Sequence, residues 1–408
     1  MYARSLPERG EGGAVAEGVK DLAPAGVFVR RIVLTNFRNY ISSRVELPEN
    51  AHRIVLTGAN GAGKTNLLEA VSFLAPGKGI RNARFSDVTG KNAANNVVSF
   101  PWAVAAVIKN GDDEIEIGTG LGSIGAKNER RSILINGEER KSQADLGRVC
   151  CAVWLTPAMD RLFSGEPAGR RRFWDRLTQA FFVGHAGNCA AYARALKQWG
   201  KLLREGTGDS NWLSALERTL GKYGAKIAFS RRETLKMLVE ELENGVTEFP
   251  RAVLSLTGGG EDFLSLLNEE DAALKVEEHF RQSRKSYAEG GLVGGVHTVE
   301  LSAFHREKGQ AAALCSTGEQ KALLISVLLA HLKAQAKRTG TLPLLLLDEV
   351  TAHLDRKRRY ALFEEIAALK TQVWMTGTEE KAFEGLEEAA HYIAVEELTK
   401  ASPVSAAS

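Results

Sequence analysis

The sequence predicts an α/β head split by a mainly α-helical insertion, and three observations predict it. A glycine-rich loop lies between the apolar run Ile54–Leu56 and a helix opening at Asn66. The four leucines Leu344–Leu347 end in two acids, Asp348 and Glu349. Between these segments, residues 170–244 form one proline-free stretch rich in Ala, Leu, Arg, Glu and Lys. Strand–loop–helix units on either side of a helical block are the pattern of a parallel α/β layer with an inserted arm.

A chain of 408 residues suggests two or three domains. It is 44% hydrophobic and 25% charged, which excludes wholesale disorder, and its 40 glycines and 10 prolines follow no collagen-like period. The formal net charge of +3 leaves nucleic-acid binding to local clustering of charge. The cysteines at 150, 151, 189 and 315 form no C-x-x-C pair and read as reduced thiols. The longest apolar run, Ala322–Leu332, is about half of what a bilayer requires, and residues 1–27 lack an apolar signal core. The expectation is a cytoplasmic protein without membrane contact.

In chain order, residues 1–27 read as a flexible leader and 399–408 as a polar tail, with order beginning near Val27. The head is expected over 28–165, with strands at 27–40, 44–47, 53–57, 97–108 and 114–119 and a hairpin turning at Asn136-Gly137. An arm is expected over 166–290. Leu196, Trp199, Leu202 and Leu203 share one helical face, as do Leu235, Leu238 and Leu242, and Gly206–Ser210 breaks the helices. Gly290, Gly291, Gly294 and Gly295 mark the return to the head over 291–398.

Gly58-Ala59-Asn60-Gly61-Ala62-Gly63-Lys64-Thr65 fits G-x-x-x-x-G-K-[ST] in full, with Asn66 opening the helix that follows. Glycines let backbone N–H groups curl around phosphates, and the helix N-terminus adds a positive dipole. Lys64 is expected to reach the β- and γ-phosphates of ATP, and the Thr65 hydroxyl to coordinate Mg²⁺. By itself the run ending in Asp348-Glu349 suits either a core strand with a helix cap or a magnesium-binding strand. Beside a P-loop, Asp348 becomes the second magnesium partner and Glu349 the general base for an attacking water.

Leu314-Cys315-Ser316-Thr317-Gly318-Glu319-Gln320-Lys321 precedes a helical run and stands ahead of the Asp-Glu strand. It resembles the signature motif of ABC-type ATPases. Thr351-Ala352-His353-Leu354-Asp355 is similar to their D-loop, and Thr376 occupies their switch position. The 252 residues from Lys64 to Ser316 exceed a transporter cassette and fall far short of an SMC or Rad50 coiled coil. A split Rad50/SMC-like head with a short arm resembles the RecF family of bacterial recombination and repair ATPases.

Further residues carry that resemblance across 28–400: Leu34–Tyr40, Thr156-Pro157, Gly165, Arg170–Phe173, Asp175, Tyr192, Gly295 with His297, and Leu345–Val350. The chain departs from the family pattern at Ala158-Met159-Asp160, Trp199-Gly200 and Thr298-Val299-Glu300. The resemblance implies a slow, DNA-dependent ATPase. Its ATP-driven homodimer would clamp double-stranded DNA and single-strand/double-strand junctions, with Ser316 and Gly318 closing over the partner's nucleotide and the D-loop residue Asp355 also binding nucleotide. It also implies action with RecR and RecO in placing RecA, and a part in SOS induction. Lys78, Arg81 and Arg84; Lys127, Arg130 and Arg131; Arg170–Arg172 with Arg176; and Arg356–Arg359 are candidate phosphate contacts, or solvated helix faces. The alternative is a non-DNA ABC-type ATPase or a nucleotide-gated scaffold.

Overall fold

The computed structural model describes residues 25–90, 101–122, 130–206, 209–244, 249–258, 268–386 and 390–400. Most of the expected leader and tail, the first residues of the 97–108 strand, and Lys127 lie outside them.

The centre of the head is a five-stranded sheet of β3 (Arg53–Thr57), β8 (Ala152–Leu155), β13 (Leu344–Leu347), β14 (Val373–Thr376) and β15 (Ala390–Ala394), in the order β15-β3-β14-β13-β8. All four pairings are parallel. A parallel sheet is covered on both faces, so its strands read as unbroken apolar runs. Leu345 and Leu347 enter one core with Val55, Val373 and Met375; Leu344 and Leu346 enter another with Ile54, Leu56 and Trp374. A helix packs into each core. Thr317–Thr339 fills the first core with Leu323, Leu324, Val327 and Leu328, and Lys64–Ser72 fills the second with Leu67, Leu68 and Val71. Full burial of one such side chain stabilises by about 1.5–3 kcal/mol.

A seven-stranded sheet covers the P-loop helix. It contains β1 (Ala25–Phe37), β2 (Tyr40–Glu46), β4 (Ala103–Asn110), β5 (Asp113–Leu121), β6 (Arg131–Ile135), β7 (Glu138–Glu139) and β12 (Thr341–Leu342). Its β4 starts at Ala103, later than the expected strand, after Trp102 donates its indole N–H to the Phe85 carbonyl at 2.7 Å.

The insertion carries the helices Pro167–Phe181, His185–Glu205, Ser210–Asn244 and Glu269–Gln282. Trp199, Leu202, Leu213, Leu216, Leu220 and Phe280 form a separate core there. Trp199 donates to Glu217 Oε1 at 3.0 Å, and a Cβ on Gly200 would stand 2.6 Å from the Tyr287 hydroxyl. The Trp-Gly pair is therefore the packing seam of the arm. A strand that the sequence did not reveal, β9 (Ala252–Thr257), pairs antiparallel with β10 (Glu300–His305), which also pairs with β11 (Gln310–Ala311). Its alternation is short, and its partner lies more than forty residues away.

Candidate nucleotide site

The C-terminal ends of β3, β13 and β14 lie side by side, so the loops leaving them converge at one edge of the sheet. From β3 comes the P-loop. Gly63 has φ 116°, where a side chain is strained, and a Cβ there would stand 2.5 Å from the Asn39 amide nitrogen. Lys64, 6% exposed, donates its ammonium to the Gly58 carbonyl at 2.6 Å and to that of Ala59 at 2.9 Å. These bonds hold it across the mouth of the loop.

From β13 come the acids. Thr65 Oγ1 donates to Asp348 Oδ1 at 3.0 Å, and Thr376 Oγ1, at the end of β14, donates to the same oxygen at 2.8 Å. The Glu349 amide donates to Thr376 Oγ1 at 2.8 Å, and Glu349 itself has φ 48°. A hydroxyl and a carboxylate with hydrogen-bonded support are the hard oxygen donors that Mg²⁺ takes. The residues present fit that ion, which Thr65 and Asp348 would hold.

The signature segment makes a different set of contacts. Ser316 caps the helix Thr317–Thr339 in a capping box, its Oγ accepting from the Glu319 amide while Glu319 accepts from the Ser316 amide. The Lys308 ammonium pairs with Glu319 and holds its carboxyl down at about 2. Ser316 is exposed, and a Cβ on Gly318 would stand 2.7 Å from the His353 carbonyl. Asp355 caps the next helix, its carboxylate accepting from the Arg358 amide at 2.8 Å. Within one chain the structure thus brings Lys64, Thr65, Asp348, Glu349 and Thr376 together, and leaves Ser316 and Gly318 against the 349–355 loop.

Comparison with known proteins places this arrangement. A model of the RecF/RecN/SMC N-terminal domain matches residues 28–400. A "DNA replication and repair protein RecF" of Mesorhizobium japonicum is 39% identical over 380 residues, covering 91% of this chain and 97% of that protein. One from Agrobacterium fabrum is 41% identical over 375 residues, covering 90% and 97%. The chain belongs to the RecF family. A solved structure described as the recombination mediator protein RecF-ATPrS superposes with a TM-score of 0.76 at 21% identity, covering 89% of this chain and 95% of that one. A second, described as RecF-ATP, gives 0.72 over 88% and 96%. The fold is therefore an ABC-type P-loop ATPase head, SMC-like, with an inserted arm.

Several residues that shape the site in this RecF-family chain carried no role in the sequence. Lys321, 0% exposed, reaches from the signature helix to the Glu349 carbonyl at 3.0 Å and the Ala352 carbonyl at 2.9 Å, with Asp160 Oδ2 at 3.5 Å. Burial lowers the Lys321 pKa and raises that of Asp160, and each charge opposes the shift of the other. Asn39 and Tyr40 support the P-loop from beneath, donating to the Ala62 and Gly63 carbonyls at 3.1 Å each. Glu396 Oε1 accepts from the Ala59 amide at 2.6 Å. A polar residue one turn past a signature glycine was the available signal for Lys321. For Glu396 there was none, because its contact spans 337 residues of chain.

The basic clusters divide. Arg131 is buried and donates to the Ala75 and Gly77 carbonyls at 3.1 and 3.0 Å, and also to that of Phe73. Arg170 pairs with Glu300 at 2.8 Å, and Arg358 with Asp355 at 3.3 Å. These three have structural work within the chain. Lys78, Arg84, Arg130, Arg172 and Arg356 are exposed.

Proposed function

We propose that this chain is an ATP-dependent DNA-binding repair ATPase. The observation that carries the reading is the convergence of Lys64, Thr65, Asp348, Glu349 and Thr376 at one sheet edge, with Ser316 exposed and Gly318 packed on the His353 carbonyl. The relatives named for DNA replication and repair support the pathway.

In this mechanism residues Gly58–Asn66 cradle the phosphates, Lys64 holds the β- and γ-phosphates, and Thr65 with Asp348 holds Mg²⁺. The ion would neutralise charge developing between the β- and γ-oxygens. Glu349 orients and deprotonates the attacking water, and Thr376 fixes the placement of both acids. Ser316, Gly318 and Asp355 act across a homodimer on the partner's γ-phosphate, so that ATP closes the clamp and slow hydrolysis opens it. The exposed Leu314, at 77%, beside the exposed Ser316 is surface that such a dimer covers. The arm 166–290, between head segments 28–165 and 291–398, walls the DNA groove. The chain acts in the cytoplasm on double-stranded DNA and junctions, with RecR and RecO in loading RecA and in SOS induction. Among the described residues no helix is long and apolar enough to cross a membrane.

The test is retention on duplex DNA across a salt series with ATP, with ADP, and with ATP on Lys64→Met, sized in parallel by light scattering. A salt-sensitive DNA-bound dimer with ATP alone is expected. An ATP-dependent dimer that never retains DNA replaces this reading with the nucleotide-gated scaffold.

A further inference from the structure

Away from the nucleotide site, a cavity of about 350 Å³ lies beyond the N-terminal end of β8, between the head and the first helices of the arm. Its apolar wall includes Pro76, Ala180 and Val183. Its polar groups are incompletely satisfied. Arg176 stacks its guanidinium on the Trp154 ring at 4.6 Å and on the Phe173 ring at 5.3 Å. Its hydrogen-bond contact among the described residues is the Met159 sulfur, 3.7 Å from Nη2, and no carboxylate pairs with it. Trp154, 7% exposed, has an indole N–H without an acceptor, and Gln335, 2% exposed, has a side-chain oxygen without a donor.

A half-buried cation with no carboxylate partner is costly to retain, and orphaned polar atoms beside it add to that cost. Burial presses the Arg176 pKa down only to about 10, so the charge remains at neutral pH. A cavity of this size matches small-molecule sites, which pair an apolar wall with a few convergent polar groups. We propose that this cavity binds a small amphipathic carboxylate. Its carboxylate accepts from the Arg176 fork, and its apolar body lies on Pro76, Ala180 and Val183.

The position gives the site a consequence. Ala75 and Pro76 follow the helix that starts at Lys64, and Gln335 lies near the end of the helix that starts at Thr317. A ligand here touches the far ends of both helices whose beginnings form the phosphate loop and the signature. Occupancy is linked to nucleotide binding, and the linkage is reciprocal.

The probe is 3-(4-hydroxyphenyl)propionate, titrated calorimetrically into the full-length protein, with its uncharged methyl ester as comparison. Binding of the acid and at least tenfold weaker binding of the ester are expected. Arg176→Met is expected to abolish the difference, and Arg176→Lys to keep part of it. Ala180→Phe fills the cavity while keeping the arginine and is expected to abolish binding, with ATP binding reporting that each variant is folded. The probe is also expected to bind with a changed dissociation constant in the presence of ATP. Failure of the wild-type protein to bind the acid, or equal binding of acid and ester, overturns the site. An unchanged constant with ATP overturns the linkage.

Discussion

Lys321 Nζ lies 3.0 Å from the carbonyl oxygen of Glu349, which joins the start of the signature helix to the residue proposed to activate water. The same ammonium holds the Ala352 carbonyl and faces Asp160, so one fully buried side chain fixes the loop at positive φ in which Glu349 sits. Removing the charge leaves two carbonyls and a mostly buried carboxylate without a donor. Lys321→Met is expected to cost roughly 3–5 kcal/mol in urea unfolding. ATP turnover should fall much further than ATP affinity, which Lys64 carries. Adding Asp160→Leu should recover part of the stability and none of the turnover, because it removes the stranded charge without restoring the loop. Equal stability of the single variant and the parent would remove the lysine from this role.

Thr376 links the two acids through one oxygen, donating to Asp348 and accepting from the Glu349 amide. Thr376→Val keeps the shape and deletes both bonds. Turnover is expected to drop about 10–100-fold, the usual effect of losing support behind a metal ligand. Nucleotide affinity measured without magnesium should stay unchanged, and a loss of affinity there would show that Thr376 shapes the loop instead.

Protonation of His331 connects pH to the head–arm seam. It is fully buried on the signature helix, its Nε2 donating to the Leu177 carbonyl at 3.0 Å with the Phe181 ring 4.9 Å away. Burial, with Arg176 adding to it, pushes its pKa down to about 4. The folded value lies below the unfolded one near 6.5, so the contribution is fully present above pH 6.5 and is lost as pH falls toward 4. The loss is on the order of 3 kcal/mol. His331→Gln, whose amide can still donate to Leu177, should flatten the stability profile between pH 6.5 and 4. An unchanged slope would place the acid sensitivity elsewhere, with His297 next, since burial holds it near 4 as well.

The parts of this molecule that were legible in the sequence are those where chemistry and backbone demand coincide locally. Gly58–Thr65 needs particular glycines at particular offsets, and Leu344–Glu349 needs a two-faced apolar strand ending in acids, so each announces itself within eight residues. The arm helices were legible for the same reason, through the spacing of Leu196, Trp199 and Leu202. Contacts that close over hundreds of residues left no such trace. The strand Ala252–Thr257 is defined by a partner at Glu300–His305, and Lys321 is an ordinary helix lysine until Asp160 and Glu349 are brought to it. Basic runs were the least informative, because charge alone does not say whether an arginine faces solvent or, like Arg131, a set of carbonyls.

Arg131 gives that distinction a measurable form. Its guanidinium bonds the Phe73, Ala75 and Gly77 carbonyls and, through Nε at 2.7 Å, the Thr119 hydroxyl, and burial lowers its pKa to about 10. Arg131→Met therefore leaves buried acceptors unpaired and should destabilise the fold by about 3 kcal/mol or more. The salt dependence of DNA retention should not change, whereas loss of a phosphate contact would lower the slope by about one.

The Glu396 carboxylate accepts the Ala59 amide of the P-loop at 2.6 Å, and a Cβ on Gly58 would stand 2.5 Å from the same carboxylate. A phosphate-binding loop is built to attract negative charge, so an acid fixed on one of its amides opposes the ligand electrostatically. At the short range of a loop this size, one unit charge is worth on the order of 1 kcal/mol in a partly solvated setting. Glu396→Gln keeps an oxygen to accept from Ala59 and removes the charge. ATP affinity is expected to rise about three- to tenfold, with the larger gain at low salt because exposed charges are screened. Glu396→Ala removes the acceptor as well and should give a smaller gain, since the Gly58–Ala59 backbone loses its anchor. If the glutamine variant binds ATP more weakly than the parent, the contact holds the loop in shape and its charge does not oppose the nucleotide.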